Sequence, residues 1–362
     1  YDKIILHMGL HKTGSTSIQK NCQFQHRQLL LRHGIHYGNF SWDGLDRPNH
    51  GGPITAALFD DADRYGAQWR AILGPDIEGA QLSFRRQFEQ MLAEPQAETL
   101  LLSGENLSRY SEEDMALLRD RLAAHTRELR VLVLLRNPVE FVASILQQRV
   151  RSGRVGTPGH LVKVQRERHT RLEQIFGSAL QSLSFDQLAA SELGLVGSFM
   201  QVCGVPAQEL AGLSYARANP GISVEAFRIM RAINRRHPPV TEGVKSELRS
   251  SRDLQPLYLL PGSRFGLREF NHPALLDVIR REEAWFEGHL GISFDTPDLA
   301  PDDTSWPAST LAVLEQHLRE VREPALLQAA AEFLCEHAVE LREARPETAA
   351  TLDEIGRRLL LT

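Results

Sequence analysis

His7-Met8-Gly9-Leu10-His11-Lys12-Thr13-Gly14-Ser15-Thr16-Ser17 is the most informative segment of the chain, a glycine-bearing turn between two periodic segments. Before the turn stands a short apolar run, Lys-Ile-Ile-Leu-His-Met at 3–8; after it, from Ser15, come Ile18, Cys22 and Leu29 at helical spacing. The segment therefore reads as strand, glycine turn, helix. Consecutive backbone N–H groups at such a helix start, with hydroxyls and an ammonium beside them, make a cradle for a phosphate-like anion.

Similar apolar runs recur at Thr99–Leu102, Val131–Leu135 and, less clearly, Leu180–Phe185, each followed by a segment able to form a helix. Strands buried on both faces and alternating with helices predict an α/β fold, an open parallel sheet with helices on both faces. The nucleotide-binding P-loop requires Gly-x-x-x-x-Gly-Lys-Ser/Thr; Gly9 and Gly14 keep the glycine spacing, but Ser15 follows Gly14 and the lysine stands at position 12. An ammonium placed that early suits a shorter 5′-phosphate and its leaving-group bridge better than a triphosphate.

The second informative segment is Leu129 to Pro138, continuing to Gly153. Arg136 emerges at the carboxyl end of a strand, where open α/β sheets bind ligands, and Pro138 suits the start of the next helix. An arginine fork there can grip a second phosphate. On that helix Ser144, Gln148 and Arg151 share one face, and Phe141, Val142, Ile145 and Leu146 form the apolar side. Arg149 falls among the apolar positions and reads as a snorkelling side chain.

Lys12-Thr13-Gly14-Ser15-Thr16-Ser17 after a strand resembles the 5′-phosphosulfate loop of sulfotransferases that use 3′-phosphoadenosine 5′-phosphosulfate (PAPS). Arg136-Asn137-Pro138, with Ser144 eight residues after Arg136, resembles their 3′-phosphate motif. The whole string from His7 to Gln19, and Gln147 to Gly153, is most similar to the bacterial branch of that family. The convincing match covers about 3–19 and 98–153, with weaker echoes at Ser184–Leu188 and Asn219–Ser223; Phe185 stands where many relatives have tyrosine. The resemblance implies a P-loop-like fold of the sulfotransferase type. It also implies that Lys12, Thr13, Gly14, Ser15, Thr16 and Ser17 bind the 5′-phosphosulfate, and Arg136 and Ser144 the 3′-phosphate. The expected reaction moves the sulfuryl group of PAPS to an acceptor hydroxyl, with a carbohydrate or glycoconjugate favoured. Two other readings stay open, a P-loop kinase for a small metabolite and a catalytically silent nucleotide-binding scaffold.

Transfer to an alcohol requires a base. Glu105 follows the apolar run Leu100–Leu102 and is expected on the same rim as Lys12; a glutamate serves this role in several carbohydrate sulfotransferases. His50, in Asn49-His50-Gly51-Gly52, and His11 are rival bases, because imidazole titrates near neutrality. His7 and His11 straddle a strand and a loop, so no metal site is expected.

The 41 basic and 46 acidic residues give a net charge of −5, which argues against a nucleic-acid binder and makes any anion site local. Only five basic residues are lysines, a compositional bias. Three dispersed cysteines, Cys22, Cys203 and Cys335, indicate neither a disulfide framework nor a thiolate zinc site and fit a reducing, cytoplasmic setting. With no apolar run longer than Val131–Leu135, no transmembrane helix is expected, and with a core strand expected at 3–8 no signal peptide is expected within this sequence; an upstream targeting segment stays open.

The expected organisation is an α/β domain over 1–295, a linker at 296–307 and a helical extension over 308–362. Within the first lie a substrate-covering insertion at 36–95, most loop-like at 47–53, and a helical acceptor-side region at 220–290. Helices are expected at 223–236, 242–252, 272–290 and 308–343. Leu311, Leu314, Leu318 and Val321 share a face of the last one and are assigned to packing, with a homodimer compatible.

Overall fold

The computed structural model describes residues 1–10, 12–61, 76–155, 158–215, 221–241, 244–246, 249, 252–270, 273–296 and 306–361. They form two compact units: Tyr1–Asn137 with Lys163–Ala218 and Arg281–Asp295, and Pro138–Val162 with Asn219–Arg280 and Thr296–Thr362.

The first unit is built on a five-stranded parallel sheet. Its strands are β1 (Lys3–Met8), β2 (Ile35–Tyr37), β5 (Thr99–Gly104), β6 (Glu128–Leu135) and β7 (Leu180–Ser184), in the order β2-β5-β1-β6-β7. A two-stranded hairpin, β3 (Ser41–Trp42) and β4 (Leu45–Asp46), lies outside it. Alternate residues of each strand face opposite sides, and both sides are apolar. Ile4, Leu6 and Met8 join Leu100, Leu102, Val131 and Val133 under the Ile77–Ala93, Glu112–Ala123 and Val164–Phe176 helices. Ile5, Leu101, Leu132 and Leu134 pack on the other side against Ile18, Cys22, Leu30 and the Gly194–Cys203 helix. This is the open α/β sheet expected from the apolar runs, with β1 at its centre.

Three local readings are corrected. The stretch at 47–53 is not a loose loop: Gly51–Leu58 is a buried helix, and Phe40, Ile54, Phe84 and Phe88 from the expected insertion are core residues. At 242–252, Val244-Lys245 pairs antiparallel with Val240-Thr241, so the helical spacing of its apolar residues gives way to a β-branched hairpin. The expected helix at 308–343 is broken into Ala308–Arg319 and Pro324–Leu341, and Pro346–Leu360 follows; both later helices begin at a proline, whose fixed φ suits a first turn. Most of the expected linker lies outside the described residues.

The second unit is mainly helical. The Pro138–Arg151 helix buries Phe141, Val142, Leu146 and Val150 and packs on Val224–Arg236, which in turn packs on Pro324–Leu341. The fully buried Glu225 accepts the N–H groups of Ser263 and Trp306, both at 3.0 Å, so its carboxylate ties three segments. Arg151, on the helix face it shares with Ser144 and Gln148, lies over the Tyr258 ring at 4.8 Å.

Candidate active site

The loop after β1 is shaped by two glycines. A Cβ on Gly9 would stand 2.4 Å from Ser15 Oγ and 3.1 Å from Glu105 Cα, so only glycine lets the helix start and the end of β5 close on β1. Gly14 has φ of 74°, and a Cβ there would also meet Leu195 at 2.2 Å. Lys12, with φ of 60°, sits in the left-handed region without being glycine. Such a residue is strained, and strain of this kind concentrates at functional positions.

Thr13 and Ser15 are enclosed in this turn. Their side chains are 0% and 3% exposed, and neither hydroxyl has a hydrogen-bond partner among the described residues. Buried hydroxyls are ordinarily satisfied, so two orphans in one glycine-bearing turn fit an anion with several acceptor oxygens. Thr16 and Ser17 continue the turn into the Ser15–Lys20 helix, half-buried.

Arg136 reaches the same loop from the end of β6. Its Nη1 donates to the Lys12 carbonyl at 3.1 Å, and its guanidinium lies over the Phe185 ring at 5.0 Å. Phe185 thus supplies a π-face to the arginine. The backbone of Arg136 is clamped by the buried Gln165, which accepts its N–H at 2.9 Å and donates to its carbonyl at 2.8 Å. Asp186 accepts the N–H of Asn137 at 2.7 Å. Ser144 lies half-buried on the Pro138–Arg151 helix of the second unit.

Glu105 follows β5, on the opposite side of β1 from Arg136. Its N–H donates to Asn49 Oδ1 at 3.4 Å, the acceptor that also takes the Gly51 N–H at 3.0 Å. Ser108, three residues on, donates to the Gly9 carbonyl at 3.0 Å and fastens this turn to the loop. Glu105 is half-buried, and its charge is felt at the His7 ring.

His50 does not fit the role of base and is corrected. It is fully buried between Tyr37 and Phe40, its N–H donates to the Ser103 carbonyl at 2.8 Å, and its Nδ1 accepts the Ser103 N–H at 3.1 Å. The residue completes the hydrogen bonding of the β5 edge beyond the end of β2, so the nitrogen that would take a proton is already occupied. Burial pushes its pKa down to about 3. His7 is likewise interior: Nδ1 meets Ser103 Oγ at 2.8 Å, Gln19 Nε2 donates to the same oxygen at 3.1 Å, and burial lowers its pKa to about 4 against the pull of Glu105. His11 lies outside the described residues. No group of three potential metal ligands occurs among the described residues, and no described helix is long and apolar enough to cross a membrane.

Sequence reasoning missed Gln165, Asp186, Asn49, Ser108 and Gln19. All five act on backbone or on other side chains; Gln19, at the end of the His7–Gln19 string, Asp186, inside the Ser184–Leu188 echo, and Asn49, inside Asn-His-Gly-Gly, carried a local signal, whereas Gln165 and Ser108 carried none.

No family model matches the chain, and no curated protein matches it. Among solved structures it is similar to the sulfotransferase from Alicyclobacillus acidocaldarius, with 13% identity over 63% of this chain and 89% of that one and a TM-score of 0.36.

Proposed function

We propose that the protein transfers the sulfuryl group of PAPS to an acceptor hydroxyl, on a carbohydrate or glycoconjugate. The observation that carries this reading is the junction of the two motif segments: Arg136 donates to the carbonyl of Lys12, in a loop whose Thr13 and Ser15 hydroxyls are enclosed without partners. A loop that needs an external anion, joined to an arginine at the neighbouring strand end, suits a ligand with two separated phosphates.

In this account the acceptor oxygen forms its bond to sulfur as the bond from sulfur to the bridging phosphate oxygen breaks. The acceptor proton passes to Glu105, and adenosine 3′,5′-bisphosphate leaves with the electron pair. Lys12 offsets the charge that grows on the bridging oxygen. Thr13, Ser15, Thr16, Ser17 and the Gly14 backbone hold the 5′-phosphate; Arg136, braced by Gln165 and Phe185, and Ser144 by its motif position hold the 3′-phosphate. Rate enhancement then comes mainly from positioning and electrostatic stabilisation, as in phosphoryl transfer. No step is assigned to a metal ion.

The test is to incubate the protein with PAPS and a panel of mono- and disaccharide acceptors and follow release of adenosine 3′,5′-bisphosphate with and without EDTA. Release that EDTA does not affect and that Lys12→Ala abolishes is expected. Phosphoryl transfer from ATP that requires Mg²⁺ would replace this reading with a kinase, and binding without any release would make the protein a scaffold.

A further inference from the structure

The elements around Glu105 carry charges that the donor assignment leaves unused. Arg109 ends the short turn Asn106–Arg109 that follows Glu105, and Arg168 and Arg171 stand on the Val164–Phe176 helix, which packs against that turn. Arg168 is half-buried, with its Nη1 enclosed and without a hydrogen-bond partner among the described residues. Burial first, then Arg109 and Arg171, pull its guanidinium down to about 10, while Glu105 and Glu167 act the other way.

An enclosed cationic N–H with no acceptor, flanked by two further arginines, is unfavourable in isolation. An oxyanion from outside the chain relieves both problems, since a guanidinium fork matches a carboxylate or sulfate through paired N–H···O bonds. The cluster belongs to the Glu105 side of the rim, because Ser108 fastens the Asn106–Arg109 turn to the Gly9 carbonyl. That is the side on which an acceptor must present its hydroxyl to Glu105.

We propose that the acceptor bears an anionic group, a carboxylate or a sulfate ester, held by Arg168 with Arg109 and Arg171 beside it. The protein then modifies hydroxyls of acidic carbohydrates in preference to neutral ones. This rests on the sulfuryl-transfer reading above and names the substrate class of the same site.

The test uses the whole protein saturated with adenosine 3′,5′-bisphosphate. Calorimetric titrations compare methyl β-D-glucuronide with methyl β-D-glucoside, and methyl β-D-galactoside 6-sulfate with its unsulfated parent, in wild type, Arg168→Gln and Arg109→Gln. At least one anionic probe should bind tenfold or more tightly than its neutral partner, and the pair that shows the preference separates carboxylate from sulfate. Arg168→Gln should reduce the preference to threefold or less while affinity for the bisphosphate stays as in wild type. Should Arg168→Gln fail to fold, the exposed Arg109 provides the second variant, with a partial loss expected. Equal binding of charged and neutral probes, no binding of either charged probe, or an unchanged preference in both variants would overturn the proposal. So would a loss of PAPS affinity with bisphosphate affinity retained in Arg168→Gln, which would assign the cluster to the sulfuryl group. Wild type that fails to bind the bisphosphate would overturn the donor reading itself.

Discussion

Lys12 holds a backbone conformation that costs an L-residue about 1 kcal/mol or more, and glycine would adopt it freely. On the proposed mechanism, the ammonium is what this position keeps at that cost. Lys12→Gly should therefore be more stable to urea than Lys12→Ala by about 1 kcal/mol, and both should lose turnover. An active Lys12→Gly protein would remove the ammonium from the mechanism. At Glu105 the expectation separates binding from rate: Glu105→Gln should slow transfer by about 10²-fold or more with affinity for the bisphosphate unchanged. An unaltered rate would place the base elsewhere, though not at His50, whose ring is taken up by the β5 backbone.

At the scale of elements, β1, β5 and β6 were legible because each is a short run buried along most of its length, β7, half-buried for most of its length, was less clear, and the three-residue β2 was not foreseen; the turn after β1 was legible because Gly9 and Gly14 punctuate it. Gly51-Gly52-Pro53 was misread because glycine and proline signal a loop in sequence; here they open a buried helix, whose first turn tolerates proline. Gln165 was invisible for a different reason. Its value lies in reaching the Arg136 backbone across 29 positions of chain, and no local pattern marks an amide for that task. Gln165→Leu should remove both of these hydrogen bonds to the Arg136 backbone and lower stability by about 2 kcal/mol, measured by urea denaturation. It should also weaken bisphosphate binding, because the helix then no longer fixes the end of β6; unchanged affinity would show that Arg136 holds its place without the clamp.

Across the whole molecule, the buried histidines tie stability to pH. His7 and His36 have pKa values lowered to about 4 and His50 to about 3, in each case mainly by burial. An unfolded chain binds protons on these rings from about pH 6.5 downward, whereas the folded chain refuses them until far lower pH. Their contribution is therefore complete above pH 6.5 and declines as pH falls toward 4. The urea midpoint should drop steadily between pH 6.5 and 5, before most carboxylates titrate, and a flat profile there would mean that the rings are not held neutral.

On the proposed function one rim of this sheet recognises two separated phosphates, and calorimetric titration with adenosine 3′,5′-bisphosphate in EDTA checks it. ATP and 5′-AMP serve as competitors, and wild type is compared with Arg136→Ala. Micromolar binding that requires the 3′-phosphate, survives EDTA and collapses in the variant is the predicted result. Binding with no preference over ATP, or binding restored only by Mg²⁺, would contradict it.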